Sequence, residues 1–273
     1  MFYNKGTSGP NPLQTVEVIL PPNSQNHPGV LIPDSSCDRI ISQPAVFIEH
    51  PILEDSFYVI VNGCLSNGSG PNADMTFTLL RFDSTNNTYS VSSNEHQVDL
   101  LNVKSTSLTT TLKYSNTGQI DGAWIITNRV TFNIGSPGYS IEFTAIPMYS
   151  NGFIDVLNPV VSLVQYNGFI DPSFNPPNGQ PKASLKVSAQ GNRISGTHEL
   201  GFQSYVTGFN NVTGSVANDL TYLGETGSFF NTGSIYSEFS GDGSKLYTVS
   251  SEFTSLNNSY ISQLSIFNLT GSN

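Results

Sequence analysis

The chain has 273 residues, of which 37% are hydrophobic and only 11% are charged, and its formal net charge is −10. This composition is too apolar for a disordered chain, and its few Lys and Arg residues are scattered, so no basic stripe is present to bind nucleic acid. The apolar runs are shorter than the roughly 20 residues that span a bilayer, and the N-terminus lacks the regions of a signal peptide. We therefore expect no nucleic-acid partner, no membrane span and no export signal in this chain.

Short apolar runs rich in β-branched and aromatic residues follow one another along the chain, separated by Asn, Gly, Ser and Pro clusters. Such runs predict β-strands, and no segment shows helical periodicity with caps over three turns. In chain order the clearest runs are PAVFIEHP, SFYVIVNG, MTFTLLRFD, TTTLKYS, GAWIITNRV, YSIEFTAIPM and SQLSIFNL. The sequence therefore predicts an all-β fold in a single domain over residues 1–273.

Two stretches of the chain repeat one another. Residues 185–195 read LKVSAQGNRIS and residues 237–250 read SEFSGDGSKLYTVS, and they align when Gly191 is placed on Gly243. The strands that follow also match when Phe209-Asn210 is placed on Phe267-Asn268. Each unit then consists of a strand, a glycine turn, a second strand, a loop and a third strand.

The glycine turn of the second unit has the sequence Ser-Gly-Asp-Gly-Ser. Asp-Gly between alternating hydrophobic residues is a strong hairpin signal. It predicts a type I′ turn in which Asp242 and Gly243 both have positive φ. A calcium loop is a weaker interpretation of Asp242, because the oxygen-rich spacing of such loops is missing.

A strand-built repeat of roughly 40 to 60 residues is typical of a β-propeller, in which each unit is one small sheet. One such sheet cannot bury both faces, so one unit implies others. Two earlier segments follow the same order of strands, which predicts about four blades. Their approximate ranges are 44–87, 109–152, 183–215 and 235–272. Both a small closed propeller and part of a larger one fit, and we favour the second.

The core at residues 240–250, SGDGSKLYTVS, is followed by ISQLSIFNLTG, and residues 124–128 read WIITN. These stretches, with LKVSAQGNRIS, resemble the WD40-like propeller repeats of large secreted surface proteins of Bacteroidetes, which gliding-motility or type IX secretion domains direct to export. In that family a WxVTH-like strand precedes the two repeats, and Asn128 stands at its His position. The resemblance implies a propeller in an extracellular or cell-surface protein.

Candidate catalytic and metal-binding residues are few and dispersed. Glu54-Asp55 could serve as an acid–base pair, although a polar turn at a strand start is the simpler interpretation. The segment 195–199, SGTHE, lacks catalytic spacing and predicts a turn between strands. The four histidines, which would form a metal site only across distant blades, are His27, His50, His96 and His198. We predict no catalytic, metal-binding or cofactor-binding residue and no cofactor.

The two cysteines, Cys37 and Cys64, both lie in Ser-, Asn- or Gly-rich segments at predicted strand ends. They are candidates for a disulfide, which would fit an exported protein because exposed thiols persist as bridges in oxidising compartments. Two unrelated free thiols fit equally well. The chain has no Cys-x-x-Cys pair, so zinc and thioredoxin-like chemistry have little support.

The main functional prediction is a non-catalytic extracellular or cell-surface module for protein or carbohydrate binding and scaffolding. One alternative is a structural subunit of a surface filament or virion, suggested by the Asn-, Ser-, Thr- and Gly-rich, Lys-poor composition. Another is a metal-dependent propeller hydrolase or lactonase, in which His and carboxylate side chains converge on the central channel. The sequence carries no indication of the ligand or of the oligomeric state.

Overall fold

All regular structure in the described residues is β-strand, in four separate sheets that follow one another along the chain. This confirms the all-β prediction. Within the described ranges, no helix is long and apolar enough to span a membrane. The computed structural model describes residues 18–19, 45–62, 75–83, 85, 88–96, 107–132, 139–166, 183–198, 203–223, 232–254 and 259–269.

The first two sheets hold nine strands. The strands of sheet 1 are β1 (Val18–Ile19), β2 (Ala45–Glu49), β3 (Ser56–Asn62), β4 (Met75–Asp83) and β5 (Thr88–His96). Those of sheet 2 are β6 (Ser107–Tyr114), β7 (Ile120–Phe132), β8 (Tyr139–Tyr149) and β9 (Val160–Tyr166). From β2 onward each strand pairs antiparallel with the next one in its sheet, and only the β1–β5 pair is parallel.

The last two sheets follow the same up-and-down pattern. Sheet 3 contains β10 (Ala183–Val187), β11 (Arg193–His198), β12 (Gln203–Gly208) and β13 (Thr221–Leu223). Sheet 4 contains β14 (Thr232–Phe239), β15 (Lys245–Thr254) and β16 (Ser259–Asn268). All pairs in both sheets are antiparallel. Such meanders need only short connections, which the Gly, Asn and Ser clusters supply.

The sheets pack face to face in chain order. We call the face that points to the following sheet the forward face, and we call the contact layer between two sheets a seam. Apolar clusters fill the seams between sheets 1 and 2, 2 and 3, and 3 and 4. The largest, between sheets 2 and 3, includes Trp124, Ile126, Ile141, Phe143, Leu185, Ile194 and Tyr205. The core is therefore divided among three seams, unlike the single layer of a two-sheet sandwich.

The same turn joins the first two strands of sheets 3 and 4. The Gly191 N–H donates to the Ser188 carbonyl over 2.8 Å, and the Gly243 N–H donates to the Ser240 carbonyl over 2.8 Å. Both glycines have φ of 67°, in the left-handed region that residues with a side chain seldom adopt. The alignment of Gly191 with Gly243 is thus confirmed.

The prediction of a type I′ turn at Asp242 is wrong. Among the described residues, Asp55 is the one non-glycine with positive φ, so Asp242 is not left-handed. The hairpin is closed by the Ser240 N–H, which donates to the Lys245 carbonyl over 2.9 Å. A type I′ hairpin has two loop residues, whereas these closing residues enclose the four positions 241–244.

The second strand match of the repeat is displaced by two residues. The Phe209 N–H donates to the Asn192 carbonyl, and the Leu269 N–H donates to the Ser244 carbonyl, each over 2.8 Å. Because Asn192 and Ser244 each follow a repeat glycine, Leu269 corresponds to Phe209, and the predicted match with Phe267 is wrong. A shift of two residues keeps side chains on the same face of a strand, so the apolar pattern could not reveal it.

The segment SGTHE was predicted as a turn, and this is also wrong, because residues 195–198 lie within β11. Gly196 pairs with Leu185 on one side and with Tyr205 on the other. A Cβ at Gly196 would overlap the phenol of Tyr205. The glycine therefore makes room for a cross-strand aromatic ring, which the sequence pattern did not distinguish from a turn.

Candidate functional site

Trp124 closes the seam between sheets 2 and 3. Its side chain is only 3% exposed, and its indole Nε1 donates to the Asn211 carbonyl over 2.8 Å. The ring packs so closely on Gly214 that a Cβ there would lie 2.7 Å from it. Lys113, which is paired with Asp121, lies over the indole, with its Nζ atom 5.9 Å from the ring centroid.

The seam between sheets 1 and 2 remains open at the corresponding place. In sheet 1, Val46 lies four residues before the hairpin turn and pairs with Ile60. In sheet 2, Thr111 lies four residues before the corresponding turn and pairs with Trp124. Ile60 thus stands at the register position of Trp124 and is fully buried, and it is not among the described residues that line the groove at this seam. This groove has a volume of about 740 Å³, which is the size range of small-molecule sites.

The floor of the groove consists of exposed apolar side chains whose counterparts are buried in the seam between sheets 2 and 3. Leu112 and Ile120 flank the turn of sheet 2 and are 46% and 61% exposed. Their counterparts flanking the turn of sheet 3, Leu185 and Ile194, are 0% exposed. Exposed apolar surface within a concave site is the usual contact area for a small ligand.

The wall of the groove is the turn at residues 50–55, which the imidazole of His50 organises. The Nδ1 atom accepts hydrogen bonds from the N–H groups of Ile52 and Leu53, over 3.2 and 3.0 Å. The imidazole lies 5.3 Å from the Tyr58 ring, and the Tyr58 hydroxyl donates to the Gly152 carbonyl over 3.0 Å. His50 therefore positions the turn. Accepting two N–H groups on Nδ1 leaves the proton of the neutral ring on Nε2.

The rim of the groove is acidic. Glu49 and Glu54 are exposed and Asp55 is half-buried, and Glu54-Asp55 lies in the turn directly before β3, as the sequence predicted. No Lys or Arg occurs among the described residues that line the groove. The resulting negative potential favours neutral or cationic ligands over anionic ones.

A second polar group of residues lies inside the seam between sheets 2 and 3. The Ser107 hydroxyl donates to Asn128 Oδ1, and Asn128 Nδ2 donates to the Tyr205 hydroxyl over 3.1 Å. Tyr205 is 1% exposed. Burial raises the pKa of its phenol, and the hydrogen bond with Asn128 offsets part of this rise. The phenol stays neutral and fully packed, so this group specifies the sheet pairing.

Buried hydroxyl groups likewise specify how sheets 3 and 4 pair. Ser195 Oγ lies 3.0 Å from Ser237 Oγ, and Ser184 Oγ lies 2.9 Å from Thr197 Oγ1. All four side chains are buried. Since buried polar groups need partners, these pairs fix how the two sheets meet, and they offer no accessible nucleophile.

The other predicted site residues are separated from the groove or lie outside the described residues. His96 and His198 are in β5 and β11, while His27, Cys37 and Cys64 lie outside the described ranges, and with them the candidate disulfide. Within the part of the chain that the structure describes, no three His, Cys, Asp or Glu residues lie close enough to hold a metal ion. Sequence reasoning missed Leu112 and Ile120, whose exposure depends on the neighbouring sheet.

Comparison with known proteins gave likenesses in structure only. No protein-family model and no curated protein matches the chain. The periplasmic gluconolactonase PpgL of Pseudomonas aeruginosa is 17% identical, over 84% of this chain and 73% of its own, with a TM-score of 0.38. A candidate 6-phosphogluconolactonase of Bacteroides fragilis is 9% identical over 87% and 86%, with a TM-score of 0.27. Hsv2 of Kluyveromyces lactis is 12% identical over 85% and 72%, with a TM-score of 0.33.

This comparison corrects the main functional prediction of a non-catalytic binding and scaffolding module. Two of the three structures bear gluconolactonase names, which agree with the hydrolase alternative and not with a binding module. At TM-scores below 0.5, we assign no activity from them. No finding bears on the resemblance to Bacteroidetes surface proteins, and the location outside the cytoplasm stays a prediction.

Proposed function

We propose that the four sheets are blades of a β-propeller, covering residues 45–96, 107–166, 183–223 and 232–268. Three features support this. Each sheet from β2 onward is an antiparallel meander, successive sheets pack face to face, and their first strands adjoin, β2 beside β6, β6 beside β10 and β10 beside β14. Adjoining first strands are expected where blades surround one axis.

We further propose that the groove between sheets 1 and 2 hydrolyses a neutral sugar lactone or a similar cyclic ester. This takes the lactonase reaction from the metal-dependent alternative of the sequence analysis, but assigns the proton transfer to a carboxylate of the groove and gives no step to a metal ion. The observation that carries the proposal is an apolar floor of Leu112 and Ile120 beneath an acidic turn that His50 holds in place. Such a site combines contact area for a sugar ring with a carboxylate that can move a proton.

In the proposed reaction, the Glu54 carboxylate takes a proton from water as the water oxygen bonds to the lactone carbonyl carbon. The ring C–O bond then breaks, and the leaving oxygen takes up that proton to give a hydroxy acid. His50 is a positioning residue that holds the turn through its Nδ1 atom. The absence of Lys and Arg from the described lining residues disfavours a phosphorylated lactone, because its anion would face the acidic rim.

The test is acid release from glucono-δ-lactone and from its 6-phosphorylated form, measured with a pH indicator against the spontaneous rate. We expect acceleration for the neutral lactone, and Glu54→Gln should lower kcat/KM by about 10² to 10⁴. The matched control, Glu238→Gln, removes an exposed carboxylate on sheet 4 and should leave the rate unchanged. Assays with added Ca²⁺ and with EDTA report metal dependence. A rate no faster than the spontaneous one under all these conditions would contradict the proposal.

A further inference from the structure

The turn at the wall of the groove is held by a titratable side chain, whereas another turn of the chain is held in the same way by asparagine. His50 Nδ1 accepts the N–H groups two and three positions further along the chain, over 3.2 and 3.0 Å. In the turn that follows β12, Asn210 Oδ1 accepts the N–H groups of Val212 and Thr213, at the same two spacings, over 3.0 and 3.1 Å. Both acceptor atoms are bonded to Cγ, so the imidazole takes the role that an amide oxygen has in an Asx turn.

The two acceptors differ in how they respond to a proton. An amide oxygen accepts hydrogen bonds at any ordinary pH, whereas an imidazole accepts through Nδ1 only while it is neutral, since the cation carries a proton on both nitrogens. A proton on His50 Nδ1 would face the N–H groups of Ile52 and Leu53, and both hydrogen bonds would be lost. An unperturbed histidine changes charge near about pH 6.5, so the loss belongs to the physiological range of pH.

The charged groups around the imidazole of His50 are acidic. The other titratable residues among the described lining of the groove are Glu49, Glu54 and Asp55. From β3 the ring meets the phenol of Tyr58, whose hydroxyl is engaged with a backbone carbonyl, and on the loop after β8 the Asp155 carboxylate accepts from Asn158. Nearby carboxylates favour the imidazolium, and they therefore offset part of the cost that the two N–H groups impose on it.

The turn also contains a strained residue, which makes it dependent on these hydrogen bonds. Asp55 has φ of 54°, in the left-handed region, which no other described non-glycine residue adopts. Such a conformation costs energy and persists only where surrounding contacts hold it. Glu54 lies directly between Asp55 and the two N–H groups that His50 accepts, so its position depends on the same contacts.

We infer that protonation of His50 releases the turn at residues 50–55 and moves the Glu54 carboxylate away from the floor of the groove. The neutral imidazole stabilises the turn at pH values above its titration, and this contribution is lost as pH falls through the titration. The site is therefore assembled at neutral pH and disassembled in mild acid. The effect on hydrolysis rests on the proposed function, whereas the release of the turn does not.

The test is nuclear magnetic resonance of the purified full chain. Long-range proton–nitrogen spectra report the protonation of the imidazole, and at about pH 8 we expect His50 Nδ1 to carry no proton. The protection of the Ile52 and Leu53 N–H groups against hydrogen exchange should fall by about tenfold between about pH 8 and about pH 5, as two hydrogen bonds are lost. The N–H groups of Val212 and Thr213 are the internal control, and their protection should not change.

Two variants separate the charge of the imidazole from its packing. His50→Asn supplies an acceptor that does not titrate, so the Ile52 and Leu53 N–H groups should stay protected at both pH values. His50→Ala removes the acceptor, and their protection should be low at both. Circular dichroism checks that each variant folds, and the asparagine variant decides alone if the alanine variant does not.

Three results overturn the inference. They are an imidazole of His50 that keeps one charge state over this range of pH, protection of the two N–H groups that does not follow its protonation, and failure of His50→Asn to restore that protection in acid. Each would show that a proton on His50 does not control the turn.

Lactone hydrolysis keeps this outcome separate from that of the proposed function. Where the wild type accelerates hydrolysis, its kcat/KM, taken relative to the value at about pH 8, should decline more steeply towards about pH 5 than that of His50→Asn. An identical decline overturns the control of the site by His50. If the wild type gives no acceleration at any pH, the proposed function fails, and the exchange measurements still decide whether His50 releases the turn.

Discussion

The seams on the two sides of sheet 2 share one strand register but differ in what fills them. On the forward side, Trp124 occupies the space beside the turn, and Leu185 and Ile194 are fully buried against its sheet. On the other side, Ile60 stands at the equivalent position, and Leu112 and Ile120 remain partly exposed beside a groove. The two seams therefore differ at the turns: the residues flanking the turn of sheet 3 are buried against sheet 2, whereas those flanking the turn of sheet 2 are left exposed beside sheet 1.

The largest expected effect comes from emptying the closed seam. Trp124→Ala removes the indole and its hydrogen bond to the Asn211 carbonyl, so we expect the free energy of unfolding to fall by about 3 to 5 kcal/mol. Urea denaturation measures it. Leu157→Ala, at a side chain that is 88% exposed, is the control and should change the stability little. A loss below about 1 kcal/mol would mean that the indole does not close this seam.

The two seams can be compared directly with one substitution at counterpart positions. Ile194→Ala in the closed seam should lower the free energy of unfolding by about 2 to 5 kcal/mol. Ile120→Ala in the groove should change it by about 0.5 kcal/mol or less, because the side chain is 61% exposed. Similar losses at both positions, measured by urea denaturation, would show that the groove is closed in solution.

A smaller effect is expected from the polar group inside the closed seam. Tyr205→Phe removes the hydroxyl that accepts from Asn128 Nδ2 and leaves a buried amide N–H without that acceptor. The expected loss of unfolding free energy is about 1 to 3 kcal/mol. Tyr236→Phe removes an exposed phenol hydroxyl and should be nearly neutral. Equal stability of Tyr205→Phe and the wild type would show that this hydrogen bond does not stabilise the seam.

The smallest effect concerns the turn of sheet 4. Hydrogen bonds from the Ser240 hydroxyl and from the N–H and hydroxyl of Ser244 lower the pKa of Asp242 to about 2. The unfolded value is about 3.9, so the ionised group stabilises the fold above about pH 4 and this contribution is lost as pH falls through about 2.

Asp242→Asn should therefore lower Tm slightly at neutral pH, by a small amount because the side chain is exposed. The difference from the wild type should vanish near pH 2, where the native carboxylate takes up its proton. Thermal melts followed by circular dichroism across this range measure it. If the difference in Tm stays constant with pH, the effect comes from the amide substitution and not from the lost charge.

Parts of the fold were predictable because they depend on local pattern. The β-branched and aromatic residues of SFYVIVNG and GAWIITN predicted β3 and the centre of β7, and the shared glycine turns predicted the relation of sheets 3 and 4. The match of Phe209 with Phe267 was wrong because a period of two cannot detect a two-residue shift. The strand at 195–198 was missed because Gly196 makes room for the ring of Tyr205 on a neighbouring strand, and the local sequence does not show this contact.

The candidate site was predictable only in its polar part. Glu54-Asp55 was recognised as a turn from its own residues, and no sequence feature linked it to Leu112 or Ile120. The one available signal was the comparison of sheets 2 and 3, in which Leu112 and Ile120 stand where Leu185 and Ile194 are found. Using it requires the strand register, which is set by pairing between distant segments.

The amino-acid sequence by itself determined that this chain forms short strands, that they pair with their neighbours, and that two of its sheets begin with the same glycine turn. These properties follow from the preference of β-branched and aromatic residues for strands and from the backbone freedom of glycine, which act over a few residues. The tertiary structure alone decided which seam is filled and which is a groove. Those properties depend on the volumes of side chains that meet from separate sheets, and such meetings are set by packing and not by local sequence.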